Sequence, residues 1–315
     1  MLEAKQVGYT ISKRFELRDI NFSIPKGASI AIIGESGCGK TSLLKLLYGL
    51  YDANKGSIYW KDQKITGPKD HLIPGMPFMK YLSQDFDLMP FTSVVENVQK
   101  HLSRLEPEHS AQRTAELLEV VEMTAFAKAH VKTLSGGQKQ RVALAQTLAK
   151  APEVLLLDEP FSHIDNFRKN KLRRRLFDYL KKAEITCLVA THDSTDVLAY
   201  TDETIVMRHG QICAHAPTPR LYQNPPNYYI ASLFGDVNEL PAHWFDTSAS
   251  PEQQVLIYPH QIGVSTTGFA AQVVGSYFMG SQYLIEASYK EKTIFFESER
   301  DFAAQEAVIL GRIKN

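Results

Sequence analysis

The run Gly34-Glu35-Ser36-Gly37-Cys38-Gly39-Lys40-Thr41-Ser42 constrains this chain more than any other feature, because of what flanks it. Before it lies a β-prone apolar stretch, Ala28 to Ile33, and after it Leu43, Leu44, Leu46, Leu47 and Leu50 repeat at helical spacing. A strand that feeds a glycine loop and then a helix lets successive backbone N–H groups curl around phosphate oxygens. Gly34 to Thr41 meets G-x-x-x-x-G-K-[ST] at every position. In that pattern Lys40 brings a point charge to the β and γ phosphates, the Thr41 hydroxyl is a ligand for Mg²⁺, and the helix N-terminus adds its positive end.

Two further apolar runs, Val154 to Leu157 and Thr186 to Ala190, each have helical sequence beside them, as buried parallel strands do. The expected class is therefore α/β. Val154-Leu155-Leu156-Leu157-Asp158-Glu159-Pro160 places two carboxylates at a strand's carboxyl end, where open parallel sheets bind ligands. Asp158 is the expected metal carboxylate beside the phosphate loop, and Glu159 the group that orients and polarises an attacking water.

The chain has 315 residues, 44% of them hydrophobic, which is enough for about two globular cores. Lysine plus arginine balance aspartate plus glutamate at 35 each, so no overall field draws it to nucleic acid or to an anionic membrane. Residues 236 to 315 carry 5 basic and 10 acidic side chains, a net of −5 against +5 for the remainder. Arg168 to Lys182 holds eight basic residues, expected as a solvated helix face because few aromatics are interleaved for base stacking. No apolar run approaches the roughly 18 residues of a membrane-spanning helix, and Met1 to Ser12 lacks the basic-then-apolar pattern of a signal peptide. Three cysteines without metal-ligand spacing suit a reducing compartment.

Leu134-Ser135-Gly136-Gly137-Gln138, followed by Lys139-Gln140-Arg141, resembles the signature motif of ATP-binding cassette (ABC) ATPases. Gln84, after Tyr81-Leu82-Ser83, resembles the family's glutamine loop; Ser162-His163-Ile164-Asp165 stands where the family has its aspartate loop; and His192, after Leu188-Val189-Ala190-Thr191, resembles its switch histidine. The resemblance implies a P-loop ATPase core with a helical signature subdomain. It also implies that ATP contacts Gly34 to Ser42 in one subunit and Ser135, Gly136, Gly137, Gln138 and Asp165 of the other. Gln84 would sense metal and water together with Thr41 and Asp158, and His192 would reach the γ phosphate. An aromatic ring stacks on adenine in the family, and Tyr9 is the first choice here, with Phe15 also upstream of the loop.

Beyond a proline-rich passage the pattern turns to short β runs, Val255 to Tyr258, Gln272 to Ser276, Tyr283 to Ala287 and Thr293 to Phe296. Tyr222 to Gly235 is similar to the segment that precedes a small oligonucleotide-binding-like (TOBE) barrel in importer ATPases. Tyr258-Pro259-His260 stands in place of that barrel's Arg-Pro-Glu. The expected domains are 1–235, the ATPase, and 236–315, a small all-β barrel for regulation or dimerisation. By resemblance the chain is the ATPase of an importer like those for polyamines, iron(III) or sulfate. It would act as a homodimer on two integral-membrane permease subunits at the cytoplasmic face of the membrane. A solute-binding protein would be an indirect partner and nucleic acid would have no part. A soluble ABC-type ATPase not coupled to transport is the alternative; such proteins usually carry two cassettes, a long helical insertion or no C-terminal barrel.

Overall fold

A computed structural model describes residues 1–12, 15–250 and 252–313. The chain divides into two compact units, Met1–Thr218 and Pro219–Asn315.

The first unit is built on a six-stranded sheet with the order Gln211–Pro217, Glu203–Arg208, Ser29–Ile33, Thr186–Ala190, Val154–Asp158, Met79–Leu82. All neighbours are parallel except the hairpin of the first two strands. Val154–Asp158 and Thr186–Ala190 are buried at every residue, which is why both read as continuous apolar runs rather than alternations. The leucines of helix Lys40–Leu47 close one face of this sheet, and its core continues into an antiparallel sheet with the order Phe15–Ile24, Leu2–Ser12, Lys55–Trp60, Gln63–Ile65. A helical region, containing Val94–Gln99, Pro107–Val120 and Gly136–Leu148, completes the unit.

In the second unit, helix Tyr228–Ser232 precedes the expected all-β region, whose strands are antiparallel. The ribbon Asn238–Pro241 with Gln254–Ile257 accompanies a sheet with the order Lys292–Ser298, Tyr283–Tyr289, Ile262–Phe278, Ala307–Arg312. Buried Asn238 staples ribbon to sheet: its amide donates to Phe295 O at 2.8 Å and its Oδ1 accepts from Phe295 N at 2.8 Å. The long strand bends where Val264 and Phe269 both face Leu310, and a Cβ at Gly268 would lie 1.9 Å from Leu310 O, so glycine is required there. The expected border near Gly235 falls inside this unit. The physical reason is aromatic: Tyr222 stacks on Tyr258 with centroids 4.5 Å apart, and the Tyr258 hydroxyl donates to Ala231 O.

Candidate functional site

Three adjacent strands deliver the site. Ser29–Ile33 leads into the glycine loop, Val154–Asp158 ends on the carboxylates, and Thr186–Ala190 leads to His192. Gly34 and Gly39 hold positive φ, 148° and 111°, and a Cβ at Gly34 would lie 2.2 Å from Met207 O. Gly34, Cys38 and Gly39 are buried, whereas Glu35, Ser36 and Gly37 are exposed along the outer curve. Lys40 Nζ reaches back over the loop and donates to Gly34 O at 2.7 Å and Glu35 O at 3.2 Å. Burial pushes the Cys38 thiol up, against the pull of Lys40, so this thiol is held protonated. Ser42 lies half-buried in the first turn of the helix.

Asp158 is 2% exposed and held through both oxygens. Thr41 Oγ1 donates to its Oδ1 at 3.1 Å, and Tyr81 OH donates to its Oδ2 at 3.1 Å. Burial raises the Asp158 carboxyl above its ordinary value in spite of these two bonds and of Lys45 and Lys40. A buried carboxylate beside a hydroxyl, with its charge undercompensated, is an oxygen donor set that fits a hard cation such as Mg²⁺. Burial and the Asp158 charge push the Tyr81 phenol well above its usual range, so Tyr81 stays a donor.

Glu159 follows with φ 50°, a left-handed conformation that costs a non-glycine residue energy and is kept by the bonds around it. Its N–H donates to Ala190 O at 2.9 Å. Its carbonyl accepts from Gln140 Nε2 at 2.9 Å, and Gln140 Oε1 accepts from His163 N at 3.1 Å. Glu159 Oε1 meets His192 Nδ1 at 2.8 Å; the Glu159 side chain is 16% exposed and the imidazole 75%.

The structure thus gathers Lys40, Thr41, Asp158, Glu159 and His192 at one end of the sheet. The expected residues outside the glycine loop and these strand ends come from other segments. Ser135 caps helix Gly136–Leu148 in a reciprocal box with Gln138: Gln138 N donates to Ser135 Oγ, and Ser135 N to Gln138 Oε1. Ser135 and Gly136 are exposed, and a Cβ at Gly137 would lie 2.5 Å from His163 O, so the signature helix packs close on the segment after Glu159. Asp165 is exposed at the start of helix Asn166–Lys182, where its side chain makes no cap. Gln84 is exposed two residues beyond strand Met79–Leu82. Tyr9 is stacked on Tyr51 with centroids 4.9 Å apart, while Phe15 is the ring against the phosphate loop, 3.2 Å from where a Cβ on Gly39 would stand.

Three residues escaped the sequence reading. Tyr81 precedes the glutamine by three positions and binds Asp158. Gln140, 2% exposed, ties the signature helix to Glu159. Arg173 is buried although it sits in the basic run; its spacing with Phe177 and Leu180, on the buried stripe of the helix, was the available signal.

The ABC transporter family profile matches residues 17–162. A protein of Rhodococcus jostii described as "Fe(3+) ions import ATP-binding protein FbpC 1" is 35% identical over 291 residues, covering 85% of this chain and 82% of the relative. "Sulfate/thiosulfate import ATP-binding protein CysA" of Bacillus cereus is 31% identical over 310 residues, covering 90% and 86%. Among solved structures, a dimeric post-hydrolysis state of the ATP-binding cassette MJ0796 bound to ADP and Pi superposes with a TM-score of 0.61 at 26% identity, covering 69% of this chain and 99% of that one.

Proposed function

The chain belongs to the ABC transporter family, and from that premise we propose that it is the ATP-hydrolysing subunit of an importer, working as a homodimer on membrane-embedded permease subunits at the cytoplasmic face. The observation that carries this reading is the pairing of Asp158 with Thr41 directly beside the Glu159–His192 contact. It puts phosphate, cation and water chemistry at the ends of adjacent strands.

ATP lies along Gly34 to Ser42 with its phosphates on the loop N–H groups and Lys40. Phe15 stacks on the adenine in place of Tyr9, since Phe15 borders the loop and Tyr9 is engaged with Tyr51. Thr41 and Asp158 hold Mg²⁺, with Gln84 joining from its exposed loop; the ion supplies charge neutralisation on the phosphates. Glu159 accepts the proton of the attacking water, and His192, bonded to it, fixes its carboxylate and faces the γ phosphate. Ser135, Gly136, Gly137, Gln138 and Asp165 act on the ATP of the partner subunit, which suits the exposure of Ser135, Gly136 and Asp165. ATP then holds two copies together and hydrolysis releases them. The segment after Gln84, with Phe91 exposed, passes the motion to the permease.

Phosphate release from purified protein with ATP and Mg²⁺ tests the catalytic part, and purification from membranes tests the partnership. Mg²⁺-dependent turnover and co-purifying integral-membrane subunits support the proposal. Turnover with no membrane partner would favour an ATPase uncoupled from transport, and no turnover at all would sink the reading.

A further inference from the structure

A closed ring of polar contacts joins Thr191 and Asp193, the two neighbours of His192, to Asp196 and Arg173. Thr191 Oγ1 donates to Asp196 Oδ2 at 2.8 Å and accepts from Asp193 N at 3.0 Å. Arg173 closes the ring: Nη2 donates to Asp193 Oδ2 at 2.5 Å, and Nε is ion-paired with Asp196 Oδ1. The same guanidinium donates through Nη1 to Asn170 and lies over the Phe161 ring, 5.5 Å from its centroid, two residues beyond Glu159. Arg173 and Asp196 are 4% and 2% exposed, so both charges are held out of water. Lys169 Nζ adds a second cation at 3.9 Å from Asp193. Inside this frame the Thr191 and Asp193 side chains face the ring, and the imidazole between them reaches Glu159.

We infer that Arg173 is a positioning residue for ATP hydrolysis: through Asp193 and Asp196 it fixes the chain on both sides of His192 and so holds the imidazole on Glu159. Its fork serves three partners at once, which a lysine's single ammonium does not reproduce. Arg173 also belongs to the helix that starts at Asp165, so a displacement of that helix start is transmitted to His192 through buried, charge-assisted bonds. The inference rests on the proposed hydrolytic roles of Glu159 and His192.

Because removing Arg173 strands two carboxylates, Asp193→Asn is the primary variant. It keeps a cap for helix Ser194–Tyr200, where Asp193 Oδ1 accepts from Thr195 N, and weakens the link to Arg173. Arg173→Lys is the second variant. Steady-state ATPase kinetics and ¹⁵N NMR of the histidine side chains, with His192 assigned by loss of its signal in His192→Gln, are measured on the full chain. The expected result for both variants is a kcat lowered about tenfold, the lower end of what loss of a supporting partner costs, with KM for ATP unchanged and the His192 signal displaced. A kcat and a His192 signal that match the parent, with only the melting temperature lowered, would overturn the inference. His192→Gln separates the two levels: if it retains turnover the catalytic reading fails, whereas if it loses turnover and Asp193→Asn does not, the positioning role alone fails.

Discussion

The strand-end cluster and the start of the signature helix are made on opposite plans. Asp158 is buried, held on both oxygens by Thr41 and Tyr81, and Glu159 is already on His192. Ser135 and Gly136 are exposed, and the bonds of Ser135 and Gln138 run to each other. Both regions sit at the ends of regular elements and both are glycine-rich or carboxylate-bearing. One is finished by its own chain, however, while the other presents a capped helix N-terminus outward, suited to an anion brought by a second surface.

Breaking the finished half should have the largest effect. Glu159→Gln keeps shape but removes the proton acceptor, and turnover should fall by about 10² to 10⁴, the range for loss of a general base. ATP should then persist in a dimer, seen by light scattering; near-normal phosphate release would remove Glu159 from its role. Lys40→Ala should weaken nucleotide binding itself, because the lost charge meets the phosphates in the ground state too. Titration with a fluorescent ATP analogue measures this. Tyr81→Phe is milder: it removes one bond to a charged group, worth about 1.5–3 kcal/mol, and should raise the Mg²⁺ concentration needed for half-maximal turnover while the fold is kept. An unchanged Mg²⁺ requirement would show that Thr41 alone sets the carboxylate. The smallest effect concerns the thiols. Burial raises all three thiols, Cys187 up to about 12, but Cys38 and Cys187 are buried and Cys213 is exposed, so native protein treated with iodoacetamide should be labelled at Cys213 before either; rapid labelling of Cys38 would mean that the loop opens.

The legible parts of the molecule were those where one face of an element had no choice. Continuous apolar runs located Val154–Asp158 and Thr186–Ala190 to within a residue, and the glycine loop located its helix. Irregular pairing hid the first strand: the register of Leu2–Ser12 shifts between Ala4 and Val7 and again by Tyr9, which breaks the alternation a strand shows in sequence. Helices Val94–Gln99 and Pro107–Val120 are separate elements, because between them Ser103 turns the chain, accepting from Leu105 N and Ser110 Oγ, and Pro107 opens the second helix. At the site, the residues proposed to touch a phosphate or metal belong to short motifs and were visible. Tyr81 grips Asp158, Gln140 grips the Glu159 carbonyl, and Arg173 grips Asp193 beside His192; which partner each finds depends on tertiary proximity that spacing does not encode. Arg173 was further concealed among seven other basic residues of Arg168 to Lys182, a run whose solvated character holds for most members but not for this one.

The contrast between a finished and an outward-facing half predicts that two copies complete each other's sites. Subunits carrying Ser135→Arg and subunits carrying Lys40→Ala, both with Glu159→Gln to retain nucleotide and with different affinity tags, are mixed and the hetero-pair is purified with ATP and Mg²⁺. One site of that pair joins the intact loop of the first chain to the intact Ser135 of the second, and the other site combines both lesions. One ATP should be retained per hetero-pair; none retained would contradict the sharing of each site between two copies.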